Sequence, residues 1–172
     1  MPGELLRGLE QPEYVHVLLN PVPVYGLALG LAAMMIAMAL RSREARICAC
    51  AIIFLSSAFA WPVSHYGQQG YFRVKAMSDG EGKNWLEEHK RRGENLVFAF
   101  YIVAAIALFS LGAEWRRSRT ALPLAIATFT LAAGVLGIGA YIGYAGGHIR
   151  HREFRFEPAP ARAQQEQQAS DL

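Results

Sequence analysis

The chain has 172 residues, 53% of them hydrophobic and 18% charged, with a formal net charge of +3. The length bounds it to one domain, and the charged share is below the roughly 25% usual in soluble domains. The basic pI near 9.0 suits contact with a membrane surface and gives no reason to invoke nucleic acid, and the absence of a Walker loop, dinucleotide fingerprint, nucleophile elbow or HExxH motif sets aside the enzymes those patterns mark.

In chain order, residues 1–20 (MPGELLRGLEQPEYVHVLLN) are amphipathic, carry three glutamates and do not read as a cleavable signal peptide. The segment Glu4–Val17 is expected to be a short interfacial helix with Leu5, Leu6 and Leu9 on its apolar side and Pro12 as its dividing point. Four apolar runs follow, at Val22–Leu40, Ile47–Val63, Leu96–Ala113 and Ala121–Tyr144, none containing Asp, Glu, Lys, Arg or His. Each is close to the ~20 residues that cross a bilayer core as a helix. A soluble bundle would carry charge on the outer face of every helix, so the expected fold is an all-α, four-transmembrane-helix bundle. It occupies residues 1–156, with a flexible tail over 157–172.

Between the spans the pattern is more mixed. Pro21 and Pro23 open the first span, where missing donors cost least. Gly26 and Gly30 there, and Gly139, Gly143 and Gly147 at the end of the fourth, read as small-residue ladders for close helix packing. Cys48 and Cys50 point about 200° apart on a helix and read as packing residues. Trp61-Pro62 is expected to stop the second helix, leaving Tyr66–Asn95 as a long loop with a turn at Asp79–Gly82. Asn84 is the expected N-cap of a helix entering the third span, with Glu87 as its capping-box partner. Lys90-Arg91-Arg92 reads as a solvated or headgroup-facing patch. No internal repeat is apparent.

The two short loops, 41–46 and 114–120, hold six arginines in 13 residues. The positive-inside rule makes them cytoplasmic. The long loop carries six basic residues of its own, which pulls the other way. The expectation is a multi-pass cytoplasmic-membrane protein with both termini outward.

All five histidines then share the outer side: His16 before the first span, His65 after the second, His89 before the third, and His148 and His151 after the fourth. His16, His89 and the His148/His151 pair sit at similar heights just beyond the apolar runs. Tyr141, Tyr144, His148 and His151 follow a 3-4-3 spacing that shares one helix face, and His16 and Asn20 share another. Imidazoles from facing helices are what axial haem ligation needs. The same groups also suit copper or zinc, or a quinone headgroup; polar anchoring without any cofactor is the plain alternative.

These residues also carry a resemblance. His16-Val-Leu-Leu-Asn20 with Pro23 and Gly26, His89 shortly before the third span, and the closing Gly146-Gly147-His148-Ile149-Arg150-His151-Arg152-Glu153 resemble a bacterial four-helix membrane family of unknown function. Its members open on His-x-x-Leu-Asn-His-x-Pro-x-x-Gly. Related domains are sometimes joined to cytochrome c modules, so the resemblance implies a redox neighbourhood. Pro21 stands where that family has a second histidine, and Lys90 follows His89 where its relatives tend to have glutamate.

The expectation is therefore a small membrane electron-transfer subunit binding a b-type haem or a quinone at its outer mouth. His16 and His89 are the leading ligands and His151 a third candidate. Asn20, Tyr144 and His148 are expected around the cofactor, and Arg150 against a propionate or a lipid phosphate. Its partners would be the bilayer, a c-type cytochrome or a larger respiratory complex, as a homo- or hetero-oligomer. A non-catalytic scaffold subunit is the main rival. A transporter is weaker, because no ionisable group lies within a span.

Overall fold

The computed structural model describes residues 2–161, 163, 164 and 169, with side chains from residue 6 onward. Among them there is no strand. The helices are α1 (Pro2–Leu9), α2 (Pro12–Leu19), α3 (Pro21–Ala39), α4 (Arg43–Ala58), α5 (Ala60–Met77), α6 (Gly80–Trp115) and α7 (Ala121–Arg150), followed by a 3-10 turn at Arg152–Phe154. Joined end to end they make four long apolar helices, Pro12–Ala39, Arg43–Met77, Gly80–Trp115 and Ala121–Arg150. The protein is a four-span membrane bundle.

Its side-chain pattern is that of a protein in lipid. Large apolar residues such as Leu29, Ile36, Leu55, Phe98, Phe109 and Leu122 are exposed along the spans, whereas Ser56, Ser57, Ser110 and Thr128 are buried between them. Apolar surface gains nothing by leaving lipid, so the helices associate through close packing and small polar contacts. The Cys50 thiol and Ser110 hydroxyl lie 3.3 Å apart, and Thr128 donates back to the Leu124 carbonyl at 2.8 Å. Cys48 is exposed and Cys50 buried, as their spacing requires. At Gly26 an added Cβ would collide with the Ser56 side chain, and at Gly30 it would lie 2.6 Å from Ile53, so this small-residue pair does seat α3 on α4.

The expected stop at Trp61-Pro62 is corrected to a break that the chain passes through. Pro62 cannot donate to the Ala58 carbonyl, and α4 ends at that residue. The ladder resumes at once, with Val63 N–H donating to the Phe59 carbonyl, and α5 runs on to Met77. The expected loop over 66–95 is therefore a helical corner standing beyond the apolar runs. α6 begins at Gly80, not Asn84: Asp79 is its N-cap, accepting from Gly82 N–H at 2.6 Å. The same economy appears earlier, where Pro12 divides α1 from α2 and Pro21 opens α3.

Two hairpins related in detail make up the bundle. α3 is followed by Arg41 and α6 by Arg117, each two residues past the helix end and left-handed, with φ of 51° and 52°. In each, the serine after the arginine donates its N–H to the carbonyl five residues back (Ser42 to Ala37, Ser118 to Ala113), and the arginine donates to Met38 or Glu114. These are matching Schellman turns. The internal repeat that the sequence hides is thus visible in the backbone.

Ion pairs tie the ends. At the arginine end, Glu114 is 1% exposed and receives Arg46 at 2.5 and 3.1 Å, while Arg43 donates to the Glu114 carbonyl at 2.9 Å. At the histidine end, the expected solvated patch is corrected: Arg92 is buried, donating to Glu88 at 2.6 Å and to the Tyr141 carbonyl at 2.7 Å, its guanidinium 3.7 Å over the Tyr141 ring. Glu88, three and four residues before Arg91 and Arg92, sits in the orientation that favours such pairs. Only Lys90 keeps the expected exposure, over the Tyr71 ring. Of the segment read as a flexible tail, Ala159 is buried with Trp85, Leu86, Ala145 and Ile149. Residues 162, 165–168 and 170–172 lie outside those described.

Candidate functional site

His16 and His89 come together. Their ring centroids are 6.1 Å apart and the planes cross at 74°. Each ring is fixed the same way. His16 on α2 donates Nδ1–H to the Val63 carbonyl of α5 at 2.8 Å, and His89 on α6 donates Nδ1–H to the Ile142 carbonyl of α7 at 3.0 Å. A carbonyl can only accept, so Nδ1 carries the proton and the neutral ring keeps its lone pair on Nε2. Among the described residues neither Nε2 has a hydrogen-bond partner.

The reach to those carbonyls depends on two glycines. Gly67 lies one turn past Val63 and Gly146 one turn past Ile142. A Cβ at Gly67 would lie 2.8 Å from His16 Nδ1, and one at Gly146 3.1 Å from His89 Nδ1. Each histidine thus lies in a glycine notch of the second helix of its own hairpin. Gly70, one turn on, lets the α2 backbone at Glu13 approach α5 in the same manner.

The spacing bears on what the pair can hold. A metal sits about 2.0–2.1 Å from a ligating imidazole nitrogen and roughly 3.2 Å from that ring's centre. Opposed imidazoles on one ion therefore have centroids about 6.3 Å apart, and tetrahedral ones about 5.2 Å. The observed separation matches the opposed arrangement. Among the described residues no third His, Cys, Asp or Glu completes a metal-holding cluster, so a closed four-ligand zinc site does not fit. α2 and α6 pack mainly on α5 and α7 rather than on each other, so each ring is brought to the pair by its own hairpin.

The other expected site residues are elsewhere. His65 is exposed, stacked on Trp61 and paired with Gln69 at 2.9 Å. His148 is buried between Trp85 and Tyr144, at centroid distances of 4.4 and 4.3 Å. His151 lies past the end of α7, exposed, with Nδ1 2.9 Å from Glu153. That hydrogen bond holds the Glu153 carboxyl below the usual carboxylate range. Arg150 is exposed and makes no ion pair among the described residues. Asn20 stands at the α2–α3 junction, where it donates its N–H to the His16 carbonyl.

Sequence reading missed Glu13. One carboxylate oxygen pairs with Arg73 at 3.0 Å, and the other is buried without a partner among the described residues. Its place one turn before His16 was the available signal. Also missed was the clasp at the α5–α6 corner, where Asp79 receives Arg155 at 2.9 and 3.0 Å and Arg152 at 2.8 Å. The Arg155 hydrogen bonds, reinforced by the Gly82 N–H, hold the Asp79 carboxyl below its ordinary range.

No family model, curated protein or solved structure matches this chain.

Proposed function

We propose that the protein is a small electron-transfer subunit of a bacterial cytoplasmic membrane, holding one b-type haem between His16 and His89. The observation that carries this is the pair itself: two imidazoles with centroids 6.1 Å apart, each fixed through Nδ1 so that Nε2 would be the ligating nitrogen. Fixing a ligand's second nitrogen on a carbonyl sets its tautomer and orientation, as in metal sites generally. A bound haem would supply one-electron chemistry. The chain's own part is to hold both rings in place at the membrane boundary. The arginine-rich turns put the opposite end in the cytoplasm by the positive-inside rule, so the site faces outward, where a c-type cytochrome or a larger respiratory complex would meet it. Arg150, exposed and without an ion pair among the described residues, is available to an anionic partner.

The test is an optical spectrum of the detergent-purified protein from haem-replete cells, oxidised and then dithionite-reduced. A Soret band that sharpens on reduction, with α and β bands lost in both His16→Ala and His89→Ala, is expected. No visible absorption, or bands that survive both substitutions, overturns the haem reading. A second reading follows from the same two-ligand set: two imidazoles at this separation, with no third donor among the described residues, also suit a single cuprous ion. Stoichiometric copper in a colourless protein, lost with either histidine, would select it. A colourless, metal-free protein co-purifying with a larger assembly would select the scaffold role.

A further inference from the structure

The arginine end of the bundle is nearly flush with the apolar runs. α3 stops at Ala39 and α4 starts at Arg43; α6 stops at Trp115 and α7 starts at Ala121. Neither turn carries a helix past the hydrocarbon, whereas at the histidine end α5 runs on to Met77 and α6 begins at Gly80. Leu40, Trp115 and Leu122, beside the turns, are exposed on the surface that faces lipid. Side chains in these turns therefore lie at the depth of the headgroups.

The two turns form one surface. Arg43 of the first donates to the Glu114 and Trp115 carbonyls of the second, at 2.9 and 3.2 Å. Six arginines stand against two glutamates, and both glutamates are already paired: Glu114 with Arg46 at 2.5 and 3.1 Å, Glu44 with Arg43 at 3.6 Å. Arg41, Arg116, Arg117 and Arg119 are exposed and make no ion pair among the described residues. Their guanidiniums leave this end with uncompensated positive charge.

Two of the four are held in a conformation that a side chain resists. Arg41 and Arg117 occupy the left-handed position of the matching Schellman turns, where Cβ crowds the following carbonyl and glycine escapes that cost. The chain accepts the strain at the same position of both turns, with the same residue. No carboxylate among the described residues repays it. An anion outside the protein does, and its chemistry is set by sign and depth. It must lie in the headgroup layer against Leu40 and Trp115. A phosphodiester meets both conditions, and guanidinium binds phosphate through charge-assisted hydrogen bonds. A zwitterionic lipid carries its own cation beside the phosphate, which offsets the gain.

We propose that the two arginine turns together bind the headgroups of anionic phospholipids, with Arg41 and Arg117 as matched phosphate contacts, one on each hairpin. This surface lies at the opposite end from the histidine pair and does not depend on what that pair holds.

The experiment reconstitutes the full chain in dioleoylphosphatidylcholine vesicles with a small fixed fraction of lipid brominated on its acyl chains, either phosphatidylglycerol or phosphatidylcholine. Tryptophan quenching is the readout. Trp61→Phe leaves Trp115 as the exposed reporter of the arginine end, and Trp115→Phe leaves Trp61 as that of the histidine end; Trp85 is buried in both. Brominated phosphatidylglycerol should quench Trp115 as if enriched about fivefold over brominated phosphatidylcholine, the scale of one arginine at an anionic lipid surface. The enrichment should be much smaller at Trp61 and should fall in high salt. Arg41→Gly with Arg117→Gly relieves the turn strain, so the fold survives, and should remove most of the preference. Equal quenching of Trp115 by the two lipids overturns the proposal and leaves the arginines to an acidic protein. So does a preference as strong at Trp61 as at Trp115, which would be a bulk charge effect, or one that persists unchanged in the double variant.

Discussion

Gly146 lies beneath the imidazole of His89, one helical turn past the carbonyl that the ring grips. Gly67 stands in the same relation to His16, with less clearance: 2.8 Å against 3.1 Å from an added Cβ to the ring nitrogen. A methyl group at Gly67 must displace the imidazole, and one at Gly146 requires the ring to give by a few tenths of an ångström against its carbonyl. Gly67→Ala and Gly146→Ala are therefore expected to destabilise the fold by about 1–3 kcal/mol, as overpacking does, with Gly67→Ala the larger effect. Both should lower the α-band absorbance per chain if the pair holds haem. Thermal unfolding of the purified variants, followed alongside the visible spectrum, checks both.

The buried carboxylate at the other end makes a different demand. Glu114 satisfies Arg46 in a setting with almost no solvent. Glu114→Ala leaves that arginine uncompensated and is expected to cost about 3–5 kcal/mol. The pair Arg46→Met with Glu114→Leu removes both charges and should recover most of that loss. Unfolding in mixed micelles with increasing dodecyl sulfate measures all three variants, and a double variant no better than Glu114→Ala would show that the pair is not what holds this end.

Arg41 and Arg117 occupy left-handed turn positions that favour glycine. Relieving that strain should stabilise the fold: Arg117→Gly by about 1 kcal/mol, and Arg41→Gly by a similar amount. The same removals take positive charge from the turns, so protease accessibility of the turns in intact membrane vesicles should be followed with stability.

The Asp79–Arg155 clasp has a pH signature. The folded carboxyl is held below its ordinary range by Arg155 and the Gly82 N–H. A depressed carboxylate contributes stability above its unfolded value, about 3.9, and loses it as pH falls through the lower folded value. The segment 152–155 should thus stay docked at neutral pH and release only in strong acid. Asp79→Asn keeps an N-cap but breaks the ion pairs, so it should give the released state at pH 7. Hydrogen exchange across 151–156, compared between wild type and variant at both pH values, decides it.

The spans were legible because lipid forbids charge along them, and residues 22–40, 47–63, 96–113 and 121–144 show that plainly. The meeting of His16 and His89 was legible as height but not as contact, since heights follow from helix rise whereas the azimuth of each ring depends on Gly67 and Gly146 far along the chain. The helical corner over 60–95 was missed because Pro62 looks like a terminator. One lost bond to Ala58 interrupts the helix without turning the chain aside, because the next donor, Val63, finds Phe59. Arg92 looked solvated because a basic run usually is; its burial follows from Glu88 and the Tyr141 carbonyl, partners on two different helices. The repeat escaped notice because its matched elements are backbone turns and glycine notches set at slightly different spacings.

That repeat has a consequence for how the molecule is made. One imidazole belongs to each hairpin, so the first hairpin leaves the ribosome with half a site, and the second ring is not seated until the last helix brings the Ile142 carbonyl and Gly146. A ligand that bridged the two rings could join only a completed bundle. Its binding energy, growing as RT ln(1 + [L]/Kd), acts wholly across the seam between hairpins, so ligand supply would govern how many finished chains stay closed along that seam.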